Sequence, residues 1–189
     1  MPQIILASSS PRRRELLNQI NVRHLVQTVE IDETPLQNEP AENYVRRLAL
    51  EKALACREKF NPNLPILAAD TSVVLGNQIM GKPQNEVDAF SMLRQLSGKT
   101  HSVFTAIALL GNHENVVIST TEVTFKTLTE NEIVAYWQSS EPLDKAGSYA
   151  IQGKGSLFIE RINGSFSGVM GLPLFETAQL LATEGIALL

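Results

Sequence analysis

The sequence predicts an α/β fold, a mixed twisted sheet with flanking helices. Three observations carry that reading. Short apolar runs of strand length alternate with segments of helical apolar spacing along the whole chain. The alternation lacks the fixed period of a repeat protein. No linker-like composition shift interrupts it, so residues 1–189 read as one domain. Within that domain the polar, glycine-containing stretches 81–84 and 146–155 read as cleft walls or hinges between two lobes.

The elements follow in order. Ile4 to Ala7 is a short buried strand, and a serine loop leads into a helix from Pro11 to Ile20, with proline at the first helical position where its missing N–H costs nothing. His24 to Val29 forms a second strand. The acidic, proline-containing loop EIDETPLQNEP excludes regular structure and precedes a helix from Ala41 to Lys59, striped by Val45, Leu48, Ala49, Ala53 and Cys56. Pro65 to Ala69 is a buried strand ending at Asp70 and Thr71. A hairpin then pairs Val73–Leu75 with Ile79–Met80 around Gly76-Asn77. Asn85 to Leu96 is a helix stopped by Gly98, and Val103–Leu110 and Val116–Phe125 are two long strands. Thr129 with Glu132 opens a capping box for a helix to Gln138. Ala146 to Gly155 is irregular, Leu157–Ile162 is a strand, Asn163-Gly164 turns, and Leu174–Thr183 is a closing helix.

Composition narrows the function classes. With 43% hydrophobic and 19% charged residues the chain has enough apolar material for a core, which excludes a disordered protein. Its net charge of −4 speaks against a nucleic-acid binder that works through a broad basic face. Cys56 is the only cysteine, so neither an intrachain disulfide nor a thiolate-rich metal site can form, which suits a reducing compartment and predicts a cytoplasmic protein. The first residues lack the charge order of a secretory signal, and no apolar run nears the ~20 residues of a membrane span. A soluble protein without membrane attachment is expected.

Several residues point to chemistry. Ser-Ser-Ser-Pro-Arg-Arg-Arg at residues 8–14 gathers free backbone N–H groups, hydroxyls and guanidinium forks at a helix start, the makings of an anion site. The plainer alternative makes Ser10 only the N-cap and the arginines a solvated face. Cations in a first helical turn oppose the dipole, however, and call for a compensating anion or acidic partner. Arg12 and Arg13 are the candidates for ligand contact, and Arg14 faces solvent. Lys52 falls inside the apolar stripe of its helix, so its ammonium either snorkels outward or enters a polar cavity with a counter-charge. Lys82 sits in an exposed Gly-Lys-Pro turn. Asp70, directly after an apolar run, is expected at the carboxyl end of a buried strand, where open α/β sheets hold ligands; a capping role is its alternative. Glu30, Asp32 and Glu33 add carboxylates in a loop.

Together these are phosphate-binding cations beside hard oxygen donors suited to Mg²⁺ or Mn²⁺, the groups that handle nucleoside triphosphates. Neither GxxxxGK[ST] nor GxGxxG occurs. GSFSG at 164–168 looks like a serine-hydrolase elbow, but no histidine follows residue 113 to complete a triad. His24, His101 and His113 lack metal-ligand spacing.

The sequence resembles the Maf-like nucleoside triphosphate pyrophosphatases. The matching blocks are LASSSPRRRELL, ETP, RLALEKA, AADTSVVLGNQIMGKP, LSGKTHSVFTAIAL, EPLDKAGSYAIQG and INGSFSGVMGLPL, in that order over nearly the whole chain. The resemblance implies an elongated α/β fold with a deep cleft, related to the inosine triphosphate pyrophosphatase architecture, and a homodimer. It implies Asp70 as catalytic proton acceptor and metal ligand, with Glu33 as a second metal-side acid. It implies Ser8, Arg12, Arg13, Lys52 and Lys82 as phosphate-binding residues. The DKAGSYAIQG block is similar to the branch that hydrolyses dTTP and UTP, which makes Arg12, Thr71 and Gln152 the specificity residues. A glutamine amide suits a uracil-type edge because it both donates and accepts. Ser72, where an aliphatic residue is more usual, and the small variations Ser148 and Ala150 bear on fine specificity rather than on reaction type.

The expected activity is therefore metal-dependent hydrolysis of dTTP, UTP or modified pyrimidine triphosphates to monophosphate and pyrophosphate. A nucleotidyltransferase is one alternative, since LASSSPRR and GKP are weakly similar to elements of sugar-nucleotide synthases. A non-catalytic nucleotide-binding regulator of septum formation is the other.

Overall fold

A computed structural model describes residues 1–189. Seven strands form one mixed sheet: β1 (Ile4–Leu6), β2 (His24–Val26), β3 (Ile66–Leu75), β4 (Gln78–Met80), β5 (Thr100–Leu110), β6 (Glu114–Phe125) and β7 (Ile159–Asn163). Their order is β2-β1-β3-β5-β6-β7, with β4 paired to β3. Six α-helices flank them: α1 (Pro11–Gln19), α2 (Ala41–Phe60), α3 (Glu86–Leu96), α4 (Glu130–Gln138), α5 (Phe166–Met170) and α6 (Leu174–Thr183).

The apolar patterns explain the layering. Leu16 and Leu17 of α1, with Leu180 and Leu181 of α6, pack on one sheet face against Leu67, Ala69 and Ile107. The α2 stripe of Val45, Ala49, Ala53 and Cys56 covers the opposite face. At the far end a third core joins Met92, Leu93 and Leu96 of α3 to Ile133 and Tyr136 of α4 and to Phe125, Tyr149 and Phe158. The first two cores build one lobe and the third builds the other, and strands β3 and β5 run through both. No helix is long and apolar enough to cross a membrane.

Strand β3 positions the site. The two segments expected as separate strands, 65–69 and 73–75, are one ten-residue strand, because Asp70-Thr71-Ser72 continues the pairing with β5 through Ala106, Thr105 and Phe104. On its other edge β3 pairs with β1 at Ile66 and Leu67 and with β4 from Val73 to Leu75. Between Leu67 and Val73 that edge has no strand beside it. Asp70 is thus mid-strand rather than at a strand end, and a gap in the sheet provides its access. The expectation of a carboxyl-terminal position holds instead for Ser8, which follows β1.

Smaller differences are local. The strand from His24 stops at Val26, residues 154–158 form a 3-10 turn before β7, and the short helix α5 begins within GSFSG, capped by Ser165. Five residues containing glycine and serine present no helical period, which hid α5 from pattern reading. The capping box is as expected: Thr129 Oγ1 accepts from Glu132 N–H at 3.3 Å, and Glu132 Oε2 accepts from Thr129 N–H at 2.8 Å.

Candidate active site

A cleft of about 980 Å³ lies between the lobes, lined by Ser8, Arg12, Arg13, Glu33, Lys52, Asp70, Thr71, Lys82 and Gln152 among others. Every residue to which the family resemblance gives a role in catalysis, specificity, phosphate or metal binding therefore borders one space, although they come from six separate segments; of the three loop carboxylates only Glu33 does, while Glu30 and Asp32 lie outside it.

The serine loop is held from within. Ser10 caps α1 without a side-chain hydrogen bond. Ser8 Oγ instead accepts from Ser10 N–H at 3.2 Å and from Arg13 Nη1 at 3.1 Å. The arginine pair is held by α5: Arg13 Nε donates to Gly171 O at 2.8 Å, and Arg12 Nε donates to Met170 O at 3.3 Å. These carbonyls belong to the C-terminal end of α5, the negative pole of a short helix. Cations at the start of α1 thus have a partner built into the fold, so their presence does not by itself demand a bound anion. Gly171 closes α5 with φ of 114°, a left-handed value that glycine adopts without strain. Arg13 Nη2 also donates to Thr71 Oγ1 at 3.3 Å. Thr105 Oγ1 lies 2.8 Å from Gly168 O and 3.0 Å from Thr71 Oγ1. Because a carbonyl only accepts, the Thr105 proton goes to Gly168 and Thr71 donates to Thr105. Arg14 is exposed, as expected.

The acidic centre is built around Lys52. Its ammonium lies 2.7 Å from Glu33 Oε1 and 2.7 Å from Asp70 Oδ1, so of its two sequence-level alternatives the structure takes the polar cavity with counter-charges. Only Oδ1 of Asp70 is engaged by a protein donor, which leaves Oδ2 for a solvent molecule or cation. Burial alone would raise the Glu33 carboxyl, but the hydrogen bond and charge of Lys52, with Lys82 and Arg13 nearby, hold it below the usual carboxylate range. Tyr44 of α2 donates its phenol proton to Glu33 O at 2.8 Å. Burial and the charges of Asp70 and Glu33 push that phenol up to about 12, so it remains a donor. Arg47 latches the same loop, bonding Glu39 through Nε at 2.7 Å and Thr34 O through Nη2 at 3.2 Å.

No group of three or more His, Cys, Asp or Glu side chains is gathered to hold a metal. Two carboxylates that already share one cation, Lys52, nonetheless fit Mg²⁺ or Mn²⁺, which take one or two carboxylates and complete their shells with water and phosphate oxygens.

Sequence reading missed several residues. Lys145 lines the cleft, and burial together with repulsion from Arg12 holds its ammonium below the usual lysine range, with Lys82 adding to the effect. Glu141 and Tyr149 border the same wall. All three stand in the block EPLDKAGSYAIQG, so the signal was present, but no spacing rule assigns charged residues of an irregular loop to a cleft. The carbonyls of Met170 and Gly171 carried no side-chain signal at all.

Known proteins are similar to this chain along nearly its whole length. A family model described as "Maf-like protein" matches residues 3–184. A dTTP/UTP pyrophosphatase of Pasteurella multocida (strain Pm70) is 50% identical over 195 residues, covering 98% of this chain and 98% of its own. One of Myxococcus xanthus (strain DK1622) is 50% identical, covering 98% and 94%. Among solved structures, a HAM1 protein from Coxiella burnetii aligns at 18% identity and TM-score 0.48, over 66% of this chain and 73% of its own.

Proposed function

This chain belongs to the Maf-like protein family, and from that premise we propose that it hydrolyses dTTP and UTP to the nucleoside monophosphate and pyrophosphate. The single observation that carries the reading beyond family membership is the convergence of Arg12, Arg13, Lys52 and Lys82 on the cleft that holds Asp70. A polyanionic tail is the ligand such a set of cations matches.

In this reading the oxygen of a water molecule bonds to the α-phosphorus, and the bridging bond to the β-phosphate breaks. Pyrophosphate leaves with the electron pair, and Asp70 takes the water's proton. Arg13, held by Gly171 O, Ser8 Oγ and Thr71 Oγ1 before substrate arrives, and Lys82 from its exposed turn offset the charge that grows on the leaving group. Lys52 sets the place of Asp70 by holding one of its oxygens. Glu33 and Asp70 would hold a divalent cation, which when bound supplies positive charge against the triphosphate and acidifies the attacking water. Gln152 lies exposed on the opposite wall, where its amide meets the base edge, with Arg12 and Thr71 completing the selection. The same reading takes the enzyme to act as a homodimer in the cytoplasm.

The test is a panel of the common nucleoside triphosphates with Mg²⁺ and with Mn²⁺, with monophosphate, pyrophosphate and orthophosphate measured separately. Equimolar monophosphate and pyrophosphate, fastest from dTTP and UTP, are expected. Orthophosphate as the first product, or a requirement for a sugar-phosphate acceptor, rejects the reading.

A further inference from the structure

The turn that carries Gln152 is clamped by two side chains, Tyr136 behind the cleft wall and Glu141 at its border. Ala150 to Gly153 is a β-turn closed by Gly153 N–H donating to Ala150 O at 3.3 Å, with Ile151 buried and Gln152 exposed at its corners. The incoming stem is fixed by Ala150 N–H, which donates to Tyr136 Oη at 3.0 Å. The outgoing stem is fixed by Glu141, whose Oε2 accepts from Lys154 N–H at 2.8 Å and whose Oε1 accepts from Gly155 N–H at 2.9 Å. Tyr136 closes the circuit by donating its phenol proton to Glu141 Oε1 at 2.9 Å. One phenol–carboxylate pair thus holds both ends of a turn whose only exposed central side chain faces the cleft.

The chemistry of the pair suits this task. An ionised carboxylate is an acceptor only, and here it meets two backbone donors and a hydroxyl that cannot otherwise be satisfied without water. Burial would raise the Glu141 carboxyl, yet the N–H groups of Gly155 and Lys154 and the Tyr136 hydroxyl keep it below the usual range, so it stays ionised. Tyr136 is itself only 3% exposed and stacks edge-on with Phe158 at 4.9 Å, so its hydroxyl has a fixed position. There is no spare room: a Cβ on Gly155 would lie 2.7 Å from both Ala150 O and Tyr136 Oη.

We propose that Glu141, acting with Tyr136, is a positioning residue for base selection: it fixes the Gln152 turn so that the amide reads a uracil-type edge. The inference rests on the dTTP/UTP reading above. A glutamine amide turned over offers the cytosine edge an equally good pair, so a turn free to move would serve either base, and a held turn is what makes discrimination possible.

The experiment compares kcat/KM for UTP and CTP in wild type, Glu141→Gln, Tyr136→Phe and Gln152→Ala, and in the double variant Glu141→Gln/Gln152→Ala. Glu141→Gln and Tyr136→Phe are each expected to reduce the UTP-over-CTP ratio by about tenfold. Added to Gln152→Ala, Glu141→Gln is expected to change the ratio no further, because its effect runs through Gln152. Should Glu141→Gln fail to fold, Tyr136→Phe alone decides. A merely structural role would lower the melting temperature and all rates together with the ratio unmoved, and that result overturns the inference, as does full additivity in the double variant. A wild type that hydrolyses UTP and CTP alike rejects the dTTP/UTP reading and this inference with it, whereas a wild-type preference untouched by either single variant rejects the inference alone.

Discussion

The two walls of the cleft are made by different means. One consists of β1, α1, α2 and β3 with the short serine loop between β1 and α1, and it presents Arg12, Arg13, Lys52 and Asp70 from regular elements whose backbones are fixed by ladder and helix hydrogen bonds. The other is the stretch 140–155, with left-handed φ values at Ser140, Asp144 and Ser148 and shape imposed by side chain-to-backbone bonds such as Tyr136 to Ala150. Bond making and breaking needs charges held to a fraction of an ångström, and regular elements provide that. The part of base selection that falls to Gln152 needs a surface that differs between related enzymes, which a loop supplies without disturbing the sheet.

The largest test of this contrast falls on the regular wall. Asp70→Asn keeps the size of the side chain and its strand pairing, so the fold is expected to persist while kcat falls on the order of 10²- to 10⁴-fold. Stopped-flow or end-point product measurement beside a circular-dichroism melt checks both halves. A variant with wild-type turnover at saturating Mg²⁺ would show that the reacting end of the cleft lies elsewhere.

How much was legible in the sequence follows the same division. The apolar stripe of α2 put Lys52 at an otherwise buried face, and the serine loop before Pro11 announced a helix start rich in donors; both are local patterns, and both segments border the cleft. Asp70 stands out in the sequence as a carboxylate directly after an apolar run, but its access comes from the gap between β1 and β4, a long-range property of pairing. The partners of Arg12 and Arg13 at the end of α5 lie 158 residues away in each case, and no local rule connects them. Along 140–155 even the recognised block showed only which residues were present, because its backbone is set by Tyr136 and Glu141 rather than by its own propensities.

The irregular wall has its own weak point at acid pH. His101 on β5 lies behind that wall, with Nε2 2.8 Å from Tyr149 Oη, and burial pulls its pKa from 6.5 down to about 4. As pH falls below 6.5 the unfolded chain takes up a proton that the folded chain refuses. The resulting stabilisation is therefore whole above that value and is lost progressively until about pH 4. Between pH 7 and 5, where most carboxylates stay ionised in both states, the loss is about 2 kcal/mol. Urea unfolding at the two pH values should show it in the wild type and not in His101→Phe, which keeps a ring against Phe125 and Tyr149. Equal pH dependence in the two proteins would mean that His101 is protonated without cost.

The smallest change sharpens the contrast most, because it adds one carbon at the joint of the irregular wall. In Gly155→Ala the new carbon must displace Ala150 O or Tyr136 Oη, each 2.7 Å away, and the neighbours there are backbone and a ring fixed by stacking. Overpacking of this kind costs roughly 1–3 kcal/mol. Gly81→Ala is the matched control on the same cleft, since its added carbon meets nothing within 4 Å and its stability is expected to stay within about 0.5 kcal/mol of wild type. If the walls are independent, Gly155→Ala lowers the preference for UTP over CTP severalfold while Asp70→Asn lowers turnover by the same factor in either background. A change in that factor would mean that strain at Gly155 reaches β3, most directly along Gly147, which packs against Val73 three residues beyond Asp70.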